Sequence, residues 1–238
     1  MNARTHVLEV WGELACFSRP EMKVERFSYP VITPSAARGI FDAIYAKPAE
    51  FRWQVDRVDV LSPPSYIALR RNEMKGKAST ALFSKWAKSG TPPEPLFADS
   101  DDETTGRTQR QTMALRDVRY RLYAHIEPWS EHEARRTAFD EQFRRRASKG
   151  KCFFQPYFGC REFPAWYELL ENGAAASAPY PLDLDIGLMV YDVFDLAQPG
   201  SATSRPYITL FHASVVAGVM KIPPYNDPAV IKLKGGKL

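Results

Sequence analysis

The first part of the chain carries two clear patterns of apolar and polar positions. Apolar and polar residues alternate over residues 6–17, which predicts a first strand with one face wetter than the other. Residues 33–48 follow the helical period instead. Thr33 can cap this helix and Pro34 suits its first position. Pro48 stops the helix, so both of its ends are signalled.

The rest of the chain adds a second helix and several strands. Ser130 and Glu133 form a capping box at the start of this helix. Phe139 and Phe143 supply its apolar face, and Gly150 is well placed to end it. Further strands are predicted mainly by alternating apolar residues, over residues 51–61, 112–127, 152–157, 182–190 and 207–219.

The order of these elements indicates the fold class. Strand, helix, strand, strand, helix, strand is the ferredoxin-like order, which RNA-recognition modules also use. We therefore expect an α+β protein. Its ferredoxin-like (RRM-like) N-terminal domain spans residues 1–172, and a small antiparallel β extension with a basic tail spans residues 173–238. Residues 86–112 are poor in apolar side chains and rich in proline and acidic residues, which predicts a mobile insertion.

Composition narrows the class of protein only slightly. The 238 residues carry a formal net charge of +4, which favours a polyanionic partner but is shared by many metabolic enzymes. Cys16, Cys152 and Cys160 lack the spacing of a zinc site and are too few for a disulfide framework. No segment has the pattern of a signal peptide or a membrane span, so we expect a cytoplasmic protein without a membrane partner.

Motifs of common metabolic enzymes are missing from the sequence. We find no dinucleotide-binding, P-loop, zinc-protease or nucleophile-elbow motif. Carboxylates cluster mainly in residues 99–103, inside the predicted insertion, whereas a two-metal nuclease needs them on rigid strands. This distribution favours chemistry without a metal or a cofactor.

Basic residues gather in three clusters beside aromatic side chains. Cations contact phosphates and aromatic rings stack on bases, so the clusters together favour a nucleic-acid partner. A solvated surface position is the simpler explanation for any single arginine. The candidate RNA-binding residues are Lys47, Arg38, Arg70, Arg71, Arg119, Arg121, Arg144, Arg145 and Arg146.

The strand predicted over residues 112–127 has one apolar face and one basic, aromatic face. Arg119, Arg121, Tyr123 and His125 alternate onto the second face. That mixture is typical of sheet surfaces that bind nucleic acid.

Two short motifs suit RNA cleavage by transesterification, in which the ribose 2′-hydroxyl attacks the adjacent phosphate. Tyr45 and Lys47 place a phenol and an ammonium group together at the end of the first helix. Lys149 and Lys151 flank Gly150, where the backbone can approach a phosphate closely. The structural alternatives are that Tyr45 only packs against the helix and that Gly150 only ends one.

Four segments resemble, in the same order, the signature blocks of one CRISPR-associated family: residues 33–48, 67–73, 107–120 and 150–163. This is the family-five CRISPR-associated protein of the subtype I-C (Dvulg) system, in the repeat-associated RAMP superfamily. The resemblance implies a ferredoxin-like domain with a β extension. It also implies metal-independent cleavage of precursor CRISPR RNA at the base of the repeat hairpin, which leaves a 2′,3′-cyclic phosphate.

The same resemblance implies the partners. The protein keeps the 5′ handle of the cut RNA and serves as a subunit of the type I-C interference complex. Precursor CRISPR RNA, the mature guide RNA and the other subunits are then its partners, with duplex DNA as a further candidate. The alternative is a scaffold subunit that binds the RNA handle with weak catalysis or none.

The resemblance also implies site residues. A tyrosine at the end of the first helix belongs to the family's active site, and Tyr45 matches it. A Lys-His pair found in some members falls on Phe139 and Asp140 here, which leaves the general acid and base open. The candidates for those roles are Lys149, Lys151, His132 and His125. We expect Tyr45, the turn at Lys149 and the strand face at Arg119 to border one groove.

Overall fold

The computed structural model is a mixed α+β fold with antiparallel sheets and few helices. It describes residues 3–22, 24–75, 79–90, 106–170, 177–201 and 205–232. The helices of these residues are α1 (Pro34–Ile44), α2 (Thr80–Ser89) and α3 (Arg136–Ala147), with a short 3-10 helix (Ser130–Arg135) directly before α3. The strands are β1 (Thr5–Ala15), β2 (Arg26–Phe27), β3 (Phe51–Val60), β4 (Tyr66–Met74), β5 (Arg107–Pro128), β6 (Trp166–Leu170), β7 (Leu184–Asp192), β8 (Thr209–Val215), β9 (Val219–Lys221) and β10 (Ile231–Lys232).

The chain forms two compact units. The first contains residues 1–67 and 113–238, and the second contains residues 68–112. The second unit contains α2, the later residues of β4 and the first residues of β5. An ion pair of 3.1 Å joins Arg110 Nε to Glu73 Oε2 in this unit.

A large sheet forms the centre of the first unit. Its main path runs β6–β1–β5–β3–β9, every neighbouring pair on this path is antiparallel, and β2 and β4 also pair with β5. Helices α1 and α3 contact each other, and α1 packs on β3 while α3 packs on β6. The side chains of Leu8, Val10 and Leu122 point into the layer between sheet and helices and are fully buried.

Helix α1 begins where the sequence predicts. The Thr33 hydroxyl accepts a hydrogen bond from the Ala36 amide at 3.2 Å, and Pro34 is the first helical residue. Ile40 and Phe41 are fully buried on its apolar face. Because burying such a side chain contributes about 1.5–3 kcal/mol, this face fixes the helix firmly against the sheet.

The second predicted helix is two helices in the structure. Ser130 begins a 3-10 helix and α3 starts only at Arg136, so the predicted capping box is wrong. Glu133 forms an ion pair of 2.8 Å with Arg136 instead. Gly150 adopts the left-handed conformation, with φ of 63°, two residues after the C-cap of α3.

The strand predictions need two corrections. Residues 152–157 form a bend at Phe153 and Phe154 and one isolated bridge at Tyr157, and the edge strand beside β1 is β6. The sequence patterns also did not predict β4. Within the predicted insertion, residues 86–89 belong to α2 and residues 107–112 to β5, while residues 91–105 lie outside the described residues.

The C-terminal residues contribute to both sheets. β7, β8 and β10 form a separate three-stranded sheet, whereas β9 adds to the large sheet beside β3. The predicted boundary between residues 172 and 173, and the predicted tail beyond Lys232, fall outside the part that the structure describes. In that part, every helix is too short or too polar to cross a membrane.

Candidate functional site

Tyr45 is the C-cap of α1, and its backbone is fixed by two contacts. Its amide donates to the Phe41 carbonyl at 2.9 Å, and its carbonyl accepts from Trp53 Nε1 at 2.8 Å. The phenol ring packs against Phe51 with 5.3 Å between centroids, and only 5% of the residue is exposed. Tyr45 therefore packs against its neighbours, as the structural alternative from the sequence predicts, and this packing holds the phenol in one position.

The surroundings of Tyr45 keep its hydroxyl protonated. Burial raises the pKa of this phenol. The positive charges of Lys47, Arg135 and Arg146 lower the pKa of Tyr45. The negative charge of Glu50 raises it further. Among the described residues, no side chain hydrogen-bonds the hydroxyl. A neutral phenol of this kind can donate a hydrogen bond to a ligand, but it is a poor base at neutral pH.

Two cations share one carboxylate at the end of α1. Lys47 Nζ lies 2.7 Å from Glu50 Oε1, and Arg135 Nη1 lies 2.5 Å from Glu50 Oε2. Both cations also lie over the Phe139 ring, at 5.8 Å and 5.1 Å from its centroid. The hydrogen bond from Lys47 lowers the pKa of Glu50 against the effect of desolvation, with help from Arg135 and His132. Glu50 is therefore charged, and the cluster keeps an excess of positive charge.

The 3-10 helix brings His132 to the same cluster. The Trp129 amide donates to the Glu50 carbonyl at 3.0 Å, and its indole N–H donates to the Pro48 carbonyl at 3.0 Å. The His132 amide donates in turn to the Trp129 carbonyl at 2.7 Å. These contacts tie the 3-10 helix to the chain that follows α1, and half-buried His132 lies close enough to influence Glu50.

The turn after α3 is joined to the end of α1 through Arg146. Its Nε donates to the Ile44 carbonyl at 2.6 Å, and its guanidinium lies 4.2 Å from the centroid of the Phe153 ring. The amides of Lys149 and Lys151 both donate to the Arg146 carbonyl, at 3.1 Å and 2.9 Å. Both lysines are exposed. Their ammonium groups are thus carried on a turn that is anchored beside Tyr45.

The two positions that correspond to the family's Lys-His pair belong to the core. Phe139 is 1% exposed, and Lys47 and Arg135 lie over its ring. Asp140 is buried with its Oδ1 2.7 Å from His6 Nε2. The His6 ring also packs against Phe143 and Trp53, at 4.8 Å and 5.7 Å between centroids. Neither Phe139 nor Asp140 is placed to exchange a proton with a ligand.

Arg119 and Arg121 lie on the opposite face of the large sheet. The even-numbered residues of β5 from Tyr120 to Ile126 face the helices, so the odd-numbered residues beside them point away from the helices. Arg121 is buried between Glu9 and Asp59, at 3.2 Å and 3.6 Å, and Arg119 donates to Glu9 at 2.8 Å. The expectation that Tyr45 and the Arg119 face border one groove is therefore wrong.

Arg38 is held inside the fold. It makes two hydrogen bonds to the Asp192 carboxylate, at 2.7 Å and 3.1 Å, and it also pairs with Asp42 one turn along α1. Burial raises the pKa of Asp42 to about 6 in spite of this pairing. Because these contacts join α1 to β7, Arg38 has an evident structural role.

Three further candidates lie on α3 or on the other face of the sheet. Arg145 is exposed on α3, and Arg144 lies 3.3 Å from Glu141 on the same helix. His125 pairs with Asp56 at 2.8 Å on the sheet face that carries Arg119 and Arg121.

Arg70 and Arg71 belong to the second unit. Both lie on β4, and Arg71 donates to the Thr112 hydroxyl at 3.3 Å within that unit. Arg70 is exposed. RNA binding by these two residues stays a prediction.

Sequence reasoning missed Glu50 and Arg135. Glu50 follows Lys47 at a spacing that favours ion pairs, but only on a helix, and the chain has left α1 at this point. The contact between Arg135 and Glu50 spans 85 residues, so no local pattern could have indicated it.

The site therefore combines a neutral phenol, a half-buried imidazole and several cations around the C-terminal end of α1, drawn from the 3-10 helix before α3 and from the last turn of α3. Such groups can orient a hydroxyl, transfer a proton and stabilise an anion. In the part of the chain that is described, no three His, Cys, Asp or Glu side chains are grouped so that they could hold a metal ion.

Comparison with known proteins places this chain in one class, the CRISPR-associated proteins. The family model Cas_Cas5d, described as CRISPR-associated protein (Cas_Cas5), matches residues 5–223. The chain belongs to the Cas5d family.

Two relatives agree with this assignment, and two solved structures share the fold. A protein of Mannheimia succiniciproducens named CRISPR pre-crRNA endoribonuclease Cas5d is 40% identical and covers 92% of this chain and 94% of its own. A protein of Thermus thermophilus with the same name is 35% identical and covers 96% of both chains.

Two solved structures share the fold over 96% of this chain. One is a CRISPR-associated protein, with a TM-score of 0.61, 20% identity and 96% of its own chain covered. The other is a protein of Streptococcus mutans, with a TM-score of 0.60, 18% identity and 97% of its own chain covered.

Proposed function

We propose that this chain is an endoribonuclease that cuts precursor CRISPR RNA at the base of the repeat hairpin. The observation that carries the proposal is that the charges of Lys47, Arg135 and Arg146 all act on the Tyr45 hydroxyl at the C-terminal end of α1, where Arg146 also donates to the Ile44 carbonyl. The two relatives named as precursor CRISPR RNA endoribonucleases, at 40% and 35% identity, support it independently of this geometry.

The proposed reaction is a transesterification without a metal ion. The ribose 2′-oxygen attacks the adjacent phosphorus, and the bond from phosphorus to the 5′-oxygen breaks. A base takes the proton of the 2′-hydroxyl and an acid delivers one to the leaving 5′-oxygen. The products are a 2′,3′-cyclic phosphate and a 5′-hydroxyl. Lys47, Arg135 and Arg146 stabilise the negative charge that builds up on the phosphorane.

The roles of the site residues follow from their surroundings. Because burial keeps Tyr45 protonated, we assign it the orientation of the 2′-hydroxyl or a phosphate oxygen rather than proton removal. His132 is the imidazole beside Glu50, and imidazole exchanges protons near neutral pH, so we assign proton transfer to it. Lys149 and Lys151 are exposed on their turn and contact the phosphates.

The proposed RNA-binding surface is smaller than the set of basic residues in the sequence. Exposed Arg145 and the turn at Lys149 belong to it, since both lie at the end of α3. Arg38 and Arg121 are engaged in buried ion pairs, so we assign them to the stability of the fold.

We further propose a ferredoxin-like arrangement for the large sheet. The order β6–β1–β5–β3, with α1 and α3 on one face, supports it. These four strands correspond to the fourth, first, third and second strands of the ferredoxin-like fold, and they lie in the order that its sheet has. The β7–β8–β10 sheet then corresponds to the proposed extension over residues 173–238.

The proposal includes a place in a larger assembly. The protein keeps the 5′ handle of its product and joins the type I-C interference complex in the cytoplasm, with the mature guide RNA and other subunits as partners and duplex DNA as a further candidate. The Cas5d family assignment supports this setting.

A second candidate function is a scaffold subunit that binds the RNA handle without cutting it. One observation favours it. The positions of the expected Lys-His pair hold Phe139 and Asp140, and Asp140 is engaged with buried His6.

Incubation of the purified protein with its own repeat RNA in excess chelator tests the two functions. We expect one discrete cut per repeat, with a 2′,3′-cyclic phosphate on the upstream fragment. Tight binding with intact RNA would support the scaffold instead. Cleavage that appears only after Mg²⁺ is added would overturn the metal-independent scheme.

A further inference from the structure

Two of the three cysteines lie together in the first unit, although 144 positions separate them in the sequence. Cys16 follows the end of β1, and Cys160 lies in the loop before β6. Cys160 Sγ lies 3.9 Å from the Cys16 carbonyl oxygen, and the two thiols are within hydrogen-bonding reach of each other. The proposed cleavage chemistry uses neither of them.

The backbone on both sides holds the two cysteines in place. The Cys16 amide donates to the Phe158 carbonyl at 3.0 Å. Gly159 has φ of 79°, and a Cβ atom there would lie 2.1 Å from the Cys16 carbonyl oxygen, so any larger residue would push the two segments apart. The Ser28 hydroxyl accepts from the Phe17 amide at 3.0 Å and fixes the chain that follows Cys16. Backbones that already lie close together are the precondition for a disulfide bond without movement of the chain.

The surroundings of the two thiols give them different roles. The hydrogen bond with Cys16 raises the pKa of Cys160, and burial and the negative charge of a Cys16 thiolate raise it further. Arg26 Nη1 donates to Cys160 Sγ at 3.0 Å, and its charge acts against this rise without cancelling it, while Glu162 adds to the rise. When the pair loses one proton, Cys160 therefore keeps its own and Cys16 is the thiolate. A thiolate beside a protonated thiol suits disulfide formation, because one sulfur attacks and the other completes the bond.

A cavity gives small molecules access to the pair. Its volume is about 550 Å³, and Cys16, Ser18 and Gly159 are among the residues that line it. The Ser18 hydroxyl lies 3.5 Å from Cys16 Sγ. Because Cys16 and Cys160 are only 1% and 7% exposed, a small oxidant reaches Cys16 through this cavity, whereas a bulky one does not.

We propose that Cys16 and Cys160 form a modification site, at which hydrogen peroxide closes a reversible disulfide between the end of β1 and the loop before β6. The Cys16 sulfur attacks one peroxide oxygen and the O–O bond breaks, which gives a sulfenic acid and one water. The Cys160 sulfur then attacks the Cys16 sulfur, and the sulfenic oxygen leaves as a second water. The two thiols lose two electrons and two hydrogens, and the peroxide gains both. This site does not depend on the proposed cleavage of RNA.

Intact-mass analysis and peptide mapping of the full chain after treatment with hydrogen peroxide test the site. We expect the wild-type mass to fall by about 2 Da, the mass of two hydrogens, with the Cys16 and Cys160 peptides joined. Dithiothreitol should restore the mass and both thiols. Cys152 is half-buried and serves as the internal comparison. A protein in which Cys16 and Cys160 both stay reduced after Cys152 has been oxidised overturns the proposal, and so do links that form only through Cys152.

Variants test the order of the two steps. We expect Cys160→Ser to hold a sulfenic acid on Cys16 that dimedone labels, because the second sulfur is missing. Cys16→Ser should leave Cys160 unlabelled. Cys152→Ser is the matched control and should form the disulfide as the wild type does. Label on Cys160 in place of Cys16 contradicts the proposed roles.

Thermal unfolding gives a readout that needs no variant. A link between residues 16 and 160 restricts the unfolded chain, so we expect the peroxide-treated wild type to have a Tm higher by roughly 5 °C or more than the reduced protein. The same treatment should leave the Tm of Cys160→Ser unchanged. A linked wild type with a lower Tm than the reduced protein would show that the link strains the fold, which contradicts the preformed arrangement of the two backbones.

Discussion

Arg146 donates a hydrogen bond of 2.6 Å to the carbonyl of Ile44, and this contact joins the end of α3 to the last residue of α1. A helix end leaves such carbonyls without partners inside the helix. One side chain thus completes the end of α1 and places a positive charge next to Tyr45.

Replacement of Arg146 should affect both stability and cleavage. Arg146→Met removes a charged hydrogen bond, so we expect a loss of about 1.5–3 kcal/mol in the free energy of unfolding. Cleavage should slow as well, because a cation is lost beside the phosphorane. Arg146→Lys keeps the charge and should retain part of the rate. Denaturant unfolding and single-turnover cleavage measure the two effects, and a Met variant equal to wild type in both would contradict this role.

The carboxylate of Glu50 should limit RNA affinity. Glu50→Gln leaves Lys47 and Arg135 without their anionic partner, so RNA should bind roughly two- to fivefold more tightly at low salt and equally at high salt. Glu168→Gln changes the charge by the same amount on an exposed residue of β6, and it should have little effect. Fluorescence anisotropy over a salt series measures both. Equal tightening by the two variants would show a general charge effect and not one of this cluster.

The turn after α3 should account for part of the salt dependence of binding. Removing one phosphate contact to a single strand lowers the slope of log affinity against log salt by about 0.7. We expect Lys149→Ala and Lys151→Ala each to show a decrease of this size. Lys221→Ala, at the exposed residue of β9, is the control and should leave the slope unchanged. If the slopes of the turn variants equal that of wild type, the lysines do not contact phosphates.

Two neighbouring arginines should differ sharply in their effect on stability. Arg121→Ala removes the buried cation between Glu9 and Asp59, which then keep only the more exposed Arg119 and Arg57 as cationic partners, so we expect a loss of about 3–5 kcal/mol. Arg119 has a half-exposed side chain, and its replacement by Ala should cost less than about 1 kcal/mol. Chemical denaturation of both variants measures the difference. If the two variants lose similar amounts of free energy of unfolding, the greater burial of Arg121 does not make it more important for stability than Arg119.

The sequence predicted the elements whose signals are local. Thr33 and Pro34 at the start of α1 are confirmed, and so is the strand that became β5. The four sequence blocks led to the Cas5d family, which the family model confirms. The strand predicted over residues 152–157 failed because Phe153 and Phe154 lie half-exposed on a bend, while β6 supplies the sheet edge.

Long-range contacts account for what the sequence could not predict. A basic residue looks the same in sequence whether it meets solvent or a buried carboxylate, so Arg121 and Arg38 could not be told apart from Lys149. The face of β5 that α1 and α3 cover depends on tertiary packing. The predicted groove common to Tyr45 and Arg119 therefore failed, although the family assignment was correct.

Single-turnover cleavage of repeat RNA by Tyr45→Phe tests the central claim most directly. The substitution removes only a hydroxyl that has no hydrogen-bond partner among the described residues, so folding and RNA affinity should stay within about twofold of wild type. We expect the rate to fall by roughly 10²-fold or more, as for loss of a group that acts on the reacting atoms. Tyr180→Phe, at an exposed tyrosine, is the control and should cut at the wild-type rate. A Tyr45→Phe protein that also cuts at the wild-type rate would contradict the placement of the active site at the end of α1.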